Sequence, residues 1–197
     1  MSATSSLEFV SEDPRVARSR AKMLAAATDL LVESGLKGVT ADAVSDRSGV
    51  AKSTLYRHWP SVNDLLIDVM RCNVPQAPAF DLTGGFEPSL RAWMSWSLQT
   101  LSTRDWARTL PALLELRTHS PEMAELLEAN MENTLTMVAS ILSLGAAEGR
   151  LPAGLDPRHV TRTVIGPLVL ASLSGDEDLQ ELCDYVIERF LASYGLT

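Results

Sequence analysis

Residues 40–59 read TADAVSDRSGVAKSTLYRHW, and the fold turns on how this run divides. Thr40 is a side chain that caps a helix start by accepting from an early backbone N–H, so a short helix is expected from it through Ala43 and Val44 to Arg47. Ser48-Gly49-Val50 then predicts a tight turn, followed by a helix from Ala51 to about Trp59. Two helices joined in this way form a helix-turn-helix. That motif needs a small residue where the helices touch, a glycine of positive φ in the turn and apolar residues that pin the second helix. Ser45, Gly49, Val50 and Leu55 supply these in order. If Leu55 and Trp59, one turn apart, face a core, then Lys52, Ser53, Tyr56 and Arg57 point outward with Thr54 alongside. Such a face can donate to phosphates and reach base edges, and a helix there fits the major groove. Glycine turns between helices also occur in helical domains that bind no nucleic acid.

Working outward, Val16 to Ser34 carries Met23, Leu24, Ala27, Leu30 and Leu31 at helical spacing, with Gly35 as the stop. After the break at Pro60, Ser61 and Asp64 have the spacing of a capping box for a helix to about Cys72. Residues 15–73 are thus expected to form one small head of four helices. Residues 1–14, rich in Ser and acids, read as a disordered tail. They lack the basic start and apolar stretch of a secretory signal, which suits a cytoplasmic protein.

Residues 74–86, with Pro75, Pro78, Gly84 and Gly85, read as a connection to a second domain spanning 74–197. Leu90, Trp93, Met94, Leu98 and Leu101 predict one helix there. Leu110, Leu113, Leu114 and Arg117 predict another, interrupted by Pro111. Ser120-Pro121-Glu122 combines a cap, a first-turn proline and an acid at the positive end of the helix dipole, opening a long helix to about Glu148. Asp156-Pro157 opens the next, with Val160, Val164, Ile165 and Leu168, and Glu177 to Tyr194 forms the last. The expectation is an all-α chain of nine helices without strands.

Composition agrees. Leu and Ala total 52 of 197 residues against 18 Ile plus Val, with 46% hydrophobic and 21% charged residues, which favours helices. The longest uncharged apolar run, Thr163 to Gly175, is short of the about 20 residues a membrane helix needs. Net charge is −8, which by itself argues against nucleic acid. It is unevenly spread: residues 14–73 hold nine basic and six acidic groups, a balance of +3, and the rest of the chain carries −11. A basic head on an acidic body confines any polyanion to one end. Cys72 and Cys183 are too few and too far apart for a disulfide framework.

The run from Arg20 through Ala25-Ala26, Leu30, Gly35, Thr40, Val44, Gly49-Val50 and Ser53-Thr54-Leu55-Tyr56-Arg57-His58-Trp59 to Leu65 resembles the N-terminal domain of TetR-family transcriptional regulators. The rest of the chain is similar to that family in size and helical layout. The resemblance implies a nine-helix homodimer whose eighth and ninth helices pair into a four-helix bundle. It also implies a small-molecule pocket among helices four to eight. It places Lys52, Ser53 and Thr54 at the base-facing start of the recognition helix, Tyr56 and His58 on the phosphate backbone, and Thr40 beside a phosphate. The charge of Arg57 suits either phosphate or guanine. Two departures stand out: Val62 replaces a phosphate-binding lysine usual at that position, and Asp42 brings an acid into the same region. Arg15, Arg18 and Arg20 are the candidates to compensate, or are simply solvated.

Function follows as an expectation. A dimer reads an inverted-repeat operator in double-stranded DNA, and a small, largely apolar effector releases it, most simply as a repressor. Trp93, Met94, Trp96, Leu113, Met131 and Leu135 could line an apolar effector cavity with Arg117 orienting the ligand, although residues on such stripes also form plain core. Arg117 equally suits a surface ion pair. His119, Asn130 and Asn133 are further polar candidates, and the prolines at 111 and 167 are expected to kink their helices and open gaps. No cofactor is expected, no metal-ligand spacing occurs among His58, His119 and His159, and no GxSxG, HExxH, GxGxxG or phosphate-loop motif supports an enzyme. Two alternatives remain: a ligand carrier with a weakened DNA-binding head, and a redox-sensing regulator working through Cys72.

Overall fold

In the computed structural model, residues 13–176 and 178–194 are described, with the backbone alone for 104–108. Asp13 accepts from the Arg15 amide at 2.8 Å, with Pro14 in the first turn of helix α1 (Pro14–Ser34). The tail expected over 1–14 therefore gives up its last two residues to the helix, because an Asp cap followed by proline is itself a start signal. Residues 1–12 lie outside the described residues. A 3₁₀ turn (Leu36–Gly38) follows, then α2 (Ala41–Ser48), α3 (Lys52–His58) and α4 (Val62–Asn73). Beyond a connection come α5 (Phe86–Leu101), α6 (Arg104–His119), α7 (Pro121–Ala147), α8 (Pro157–Ser174) and α9 (Leu179–Ala192). Among the described residues there are nine α-helices and no strand.

The chain divides into two compact units, up to Cys72 and from Asn73. In the first, α1 buries Met23, Ala26, Ala27, Leu30 and Leu31, a stripe with the helical period, and contacts α2 and α3. Val44 and Leu55, each fully buried, carry α2 and α3 into the same core. Burying a side chain of that size contributes about 1.5–3 kcal/mol, which suits the assembly of helices too short to stand alone.

In the second unit α5 is the central helix, touching α6, α7, α8 and α9. Its expected stripe, Leu90, Trp93, Met94, Leu98 and Leu101, is buried throughout. It packs with Val138, Ile141 and Leu142 of α7, Val160, Val164 and Leu168 of α8, and Cys183, Val186 and Phe190 of α9. Gly145 of α7 lets this core close: a Cβ there would come within 2.6–2.9 Å of Leu151 and Phe86 side-chain atoms.

The caps read from sequence form as expected. Ser120 Oγ accepts from the Met123 amide at 3.2 Å, and Asp156 accepts from the Arg158 amide at 2.8 Å. The last helix starts at Leu179 rather than at Glu177, since Asp178 takes the cap by accepting from the Glu181 amide at 3.1 Å. Glu177 itself lies outside the described residues. In α6 the inward face is Ala112, Leu113 and Leu116, whereas Leu114 is 51% exposed. Ala112, Leu113 and Leu116 share an arc of about 100°, and Leu114 lies roughly 150° from its centre, so it faces away from the core. Both α6 and α8 run on through their prolines, Pro111 and Pro167.

Candidate functional site

Thr40 is extended (φ −120°, ψ 157°) and its Oγ1 accepts from the Ala43 amide at 3.1 Å, which starts α2. Gly49 closes α2 in the left-handed region (φ 68°, ψ 17°), its amide donating to the Ser45 carbonyl at 3.0 Å. Any other L-residue would be strained there. Ser45 does more than the small-residue role assigned from sequence. Its hydroxyl donates to the Val50 carbonyl at 2.8 Å, while Ser48 Oγ accepts from the Val50 amide at 3.2 Å. The turn is thus fastened on both sides, and α3 leaves it in a fixed direction.

On α3, Leu55 and then Trp59 just beyond its end face inward, at 0% and 3% exposure. Lys52, Ser53, Tyr56 and Arg57 are exposed, and Thr54 and His58 are half-buried. The outward face is therefore the one the sequence implied. Its electrostatics differ from a row of free cations. Lys52 Nζ is paired with Asp42, and that hydrogen bond, with Asp42's charge, holds the ammonium above its ordinary range. Arg57 has no ion pair among the described residues. Arg47 is engaged elsewhere, bonded at 2.7 Å to Glu33, whose carboxyl it holds low.

Arg20, a DNA-contact candidate from sequence, is held by the head: its guanidinium is 2.5 Å from Asp68 Oδ2 and 5.5 Å from the centre of the Trp59 ring, and its side chain keeps 39% exposure. Trp59 Nε1 donates to the same Asp68 oxygen at 2.7 Å. Arg71 lies 3.4 Å from the other oxygen. Partial burial pushes the Asp68 carboxyl up, but the Trp59 and Arg20 bonds and the two positive charges outweigh it and hold the group below its usual range. Sequence reasoning passed over Asp68, whose only signal is an acid among apolar residues of α4. The capping box at the start of α4 is reciprocal: the Ser61 amide donates to Asp64 Oδ2 at 2.9 Å, and the Asp64 amide to Ser61 Oγ at 3.2 Å. Val62 is half-buried, and Arg15 and Arg18 are exposed.

The seven residues expected to line an effector site differ in exposure. Trp93, Met94 and Leu113 are core, at 1% exposure or less. Trp96 and Leu135 are half-buried, Arg117 is exposed, and Met131 is 38% exposed. The long helix buries Met123, Val138 and Leu142, and Met131, which the helical period puts on the same face as Val138 and Leu142, is left partly open there. Trp96 packs edge-on against Phe80 with centroids 6.2 Å apart. Phe80 belongs to a groove of about 390 Å³ between residues 76–80 and the Asn130, Asn133, Thr134 and Met137 side of α7. His119 is exposed. Cys72 is exposed, and Cys183 is buried, where desolvation raises its thiol pKa.

On α8 and α9 an apolar face stays open. Leu170 is 67% exposed, Leu173 42% and Tyr185 57%, with Gly166 and Pro167 exposed on the same side of α8. A groove of about 410 Å³ continues this face between the two helices, lined by His159, Thr163, Tyr185 and Arg189 among others. No helix among the described residues is long and apolar enough to cross a membrane, and no three metal-binding side chains cluster among them.

A helix-turn-helix with a solvent-facing second helix, on a chain whose other unit is a larger helical body, defines a helix-turn-helix transcription regulator. Residues 23–69 match the model described as bacterial regulatory proteins of the tetR family, and residues 81–189 match the tetracyclin repressor-like C-terminal domain. The chain belongs to the TetR family of DNA-binding transcription regulators. It is similar to YdeS of Bacillus subtilis (strain 168), an uncharacterised HTH-type transcriptional regulator, at 24% identity over 83% of each chain. Its fold is similar to that of a transcriptional regulator from Saccharomonospora viridis solved in complex with choline (18% identity, TM-score 0.67, 87% of this chain and 95% of that one). It is likewise similar to that of NalD, the secondary repressor of the MexAB-OprM multidrug efflux pump in Pseudomonas aeruginosa (20% identity, TM-score 0.61, 88% and 96%).

Proposed function

We propose that this chain is a dimeric repressor that reads an inverted-repeat operator and is released from it by a small molecule. The observation that carries the reading is the α3 face: Ser53, Tyr56 and Arg57 are exposed, next to Lys52, on a helix whose inner side is locked by Leu55 and Trp59. Lys52, Ser53 and Thr54 are assigned to base edges, with Thr40, Tyr56 and His58 on the phosphate backbone. Arg57, which has no ion pair among the described residues, takes either a guanine edge or a phosphate. Arg20 is left out of the contact set because Asp68 already holds it.

The open α8–α9 face supports the dimer, since an apolar patch of this kind marks an interface. Two heads held together would meet half-sites about one or one and a half helical turns apart. The effector is assigned to the Trp96 side of the body, where half-buried Trp96 and Leu135 and the Phe80 groove offer an apolar lining with amides. The choline complex of the Saccharomonospora viridis regulator and the repressor role of NalD support this reading as facts about those proteins. An effector that prefers a conformer with the wrong head separation needs a coupling of only about 1–3 kcal/mol to change operator affinity roughly 5- to 150-fold.

Selection from a randomised duplex pool at physiological salt tests the reading, because non-specific binding is weak there. An enriched inverted repeat is expected. A folded, dimeric protein that enriches nothing would overturn it.

A further inference from the structure

The recognition helix α3 has seven residues, and Ala51 at its start offers no side-chain cap. A helix so short does not hold its own direction. Three outside attachments supply it. At the front, Ser45 Oγ bonds the Val50 carbonyl at 2.8 Å, and in the middle Leu55 is fully buried. At the rear, the Trp59 amide closes the last turn on the Leu55 carbonyl at 2.9 Å, and its ring is buried.

The Trp59 ring is in turn fixed from two directions. Its edge donates to Asp68 Oδ2 at 2.7 Å, and the Arg20 guanidinium sits 5.5 Å from its centre. Asp68 binds that same guanidinium at 2.5 Å, so one carboxylate joins α1, the end of α3 and α4. Without it, a buried indole N–H loses its acceptor and Arg20 faces the ring with no counter-charge.

We propose that Asp68 is a positioning residue for DNA recognition, fixing the rear of α3 through the Trp59 indole with Arg20 as its counter-charge. The proposal rests on the DNA-reading function given above. A tilt of α3 about Leu55 displaces Lys52 and Ser53 from base edges and Arg57 from its contact, and base-edge hydrogen bonds fail over less than an ångström. Phosphate contacts are less demanding and carry no sequence information. Asp68 therefore sets the ratio of specific to general affinity.

The test compares full-length protein with Asp68→Ala, Asp68→Asn and Trp59→Phe on the selected operator and on a scrambled duplex of equal length and salt. Asp68→Ala is expected to weaken operator binding about tenfold, the scale of one good base contact. Binding to the scrambled duplex should hold or tighten, since a negative charge has been removed. Asp68→Asn, which keeps an acceptor for the indole, should retain more of the ratio, and in a Trp59→Phe background Asp68→Ala should add little. Tightening on both duplexes would make Asp68 a mere charge, and unchanged affinity of a smaller active fraction would make it a mere stabiliser. Either result overturns the proposal.

A second measurement needs no operator. In ¹H–¹⁵N spectra, Asp68→Ala should shift the Trp59 indole and the amides of Lys52–His58 while those of Ala41–Ser48 stay. Unmoved α3 amides overturn the positioning role. Failure to select an operator counts instead against the repressor reading.

Discussion

Lys52 stands at the start of α3 with Asp42 against it, so its charge is already matched before DNA arrives. Binding a phosphate or base with Lys52 means breaking that pair, and the acid left behind repels the polyanion. Asp42→Asn should therefore tighten operator binding by about threefold to tenfold at low salt, with the gain shrinking as salt screens the charges. Fluorescence anisotropy on operator and scrambled duplexes at two salt concentrations measures this. An equal gain on both assigns Lys52 to phosphate, and a gain confined to the operator assigns it to a base. Unchanged affinity would take Lys52 out of the interface. Residues of this kind were legible where their partners are local: Thr40, Gly49 and the Ser61–Asp64 box each act within a few positions of themselves. The partner of Arg20 was not legible, because a sequence shows its charge but not Asp68, 48 positions away.

At the scale of elements, helix starts were the most legible feature, since a cap is a side chain bonding its own next turn. Faces were less so. Leu114 looked like part of an inward stripe but is exposed, because it lies off the arc that Ala112, Leu113 and Leu116 bury. The junction of α1, α3 and α4 was not visible at all, and it carries a pH dependence. Asp68 is held below the ordinary aspartate value of about 3.9 by Trp59, Arg20 and Arg71, against the desolvation that opposes them. Its contribution to stability is complete above the unfolded-state value and is lost as pH falls through the lower folded value. Below about pH 4, wild-type stability should fall more steeply than that of Asp68→Asn, which has no carboxyl to protonate there. Urea unfolding at pH 5 and at pH 3 checks this. Parallel losses in the two proteins would mean that Asp68 makes no net contribution through its charge.

For the whole molecule, the uneven charge was readable by counting, and it directs DNA to the head by repelling it from the rest of the chain. An effector lining is less legible, because Trp93 and Met94 share a stripe with core residues and only packing tells a lined cavity from a filled one; both are buried in the core cluster. The open face of α8 and α9 lies between these cases. Sequence placed Leu170 in an apolar run, and the structure leaves it 67% exposed beside Leu173 and Gly166, with nothing within 4 Å of a Cβ built at Gly166. In an isologous interface each such residue occurs twice, so a substitution acts twice. Leu170→Glu removes two leucine contacts of about 1.5–3 kcal/mol each and sets carboxylates where apolar surface should be buried. The loss exceeds about 3 kcal/mol, which weakens dimerisation more than 100-fold. Analytical ultracentrifugation should then show monomers of unchanged helix content at micromolar concentration. Operator affinity should collapse with them, since a single head keeps one half-site and loses the effective concentration that linkage gives the second. A variant that stays dimeric would place the interface away from this face.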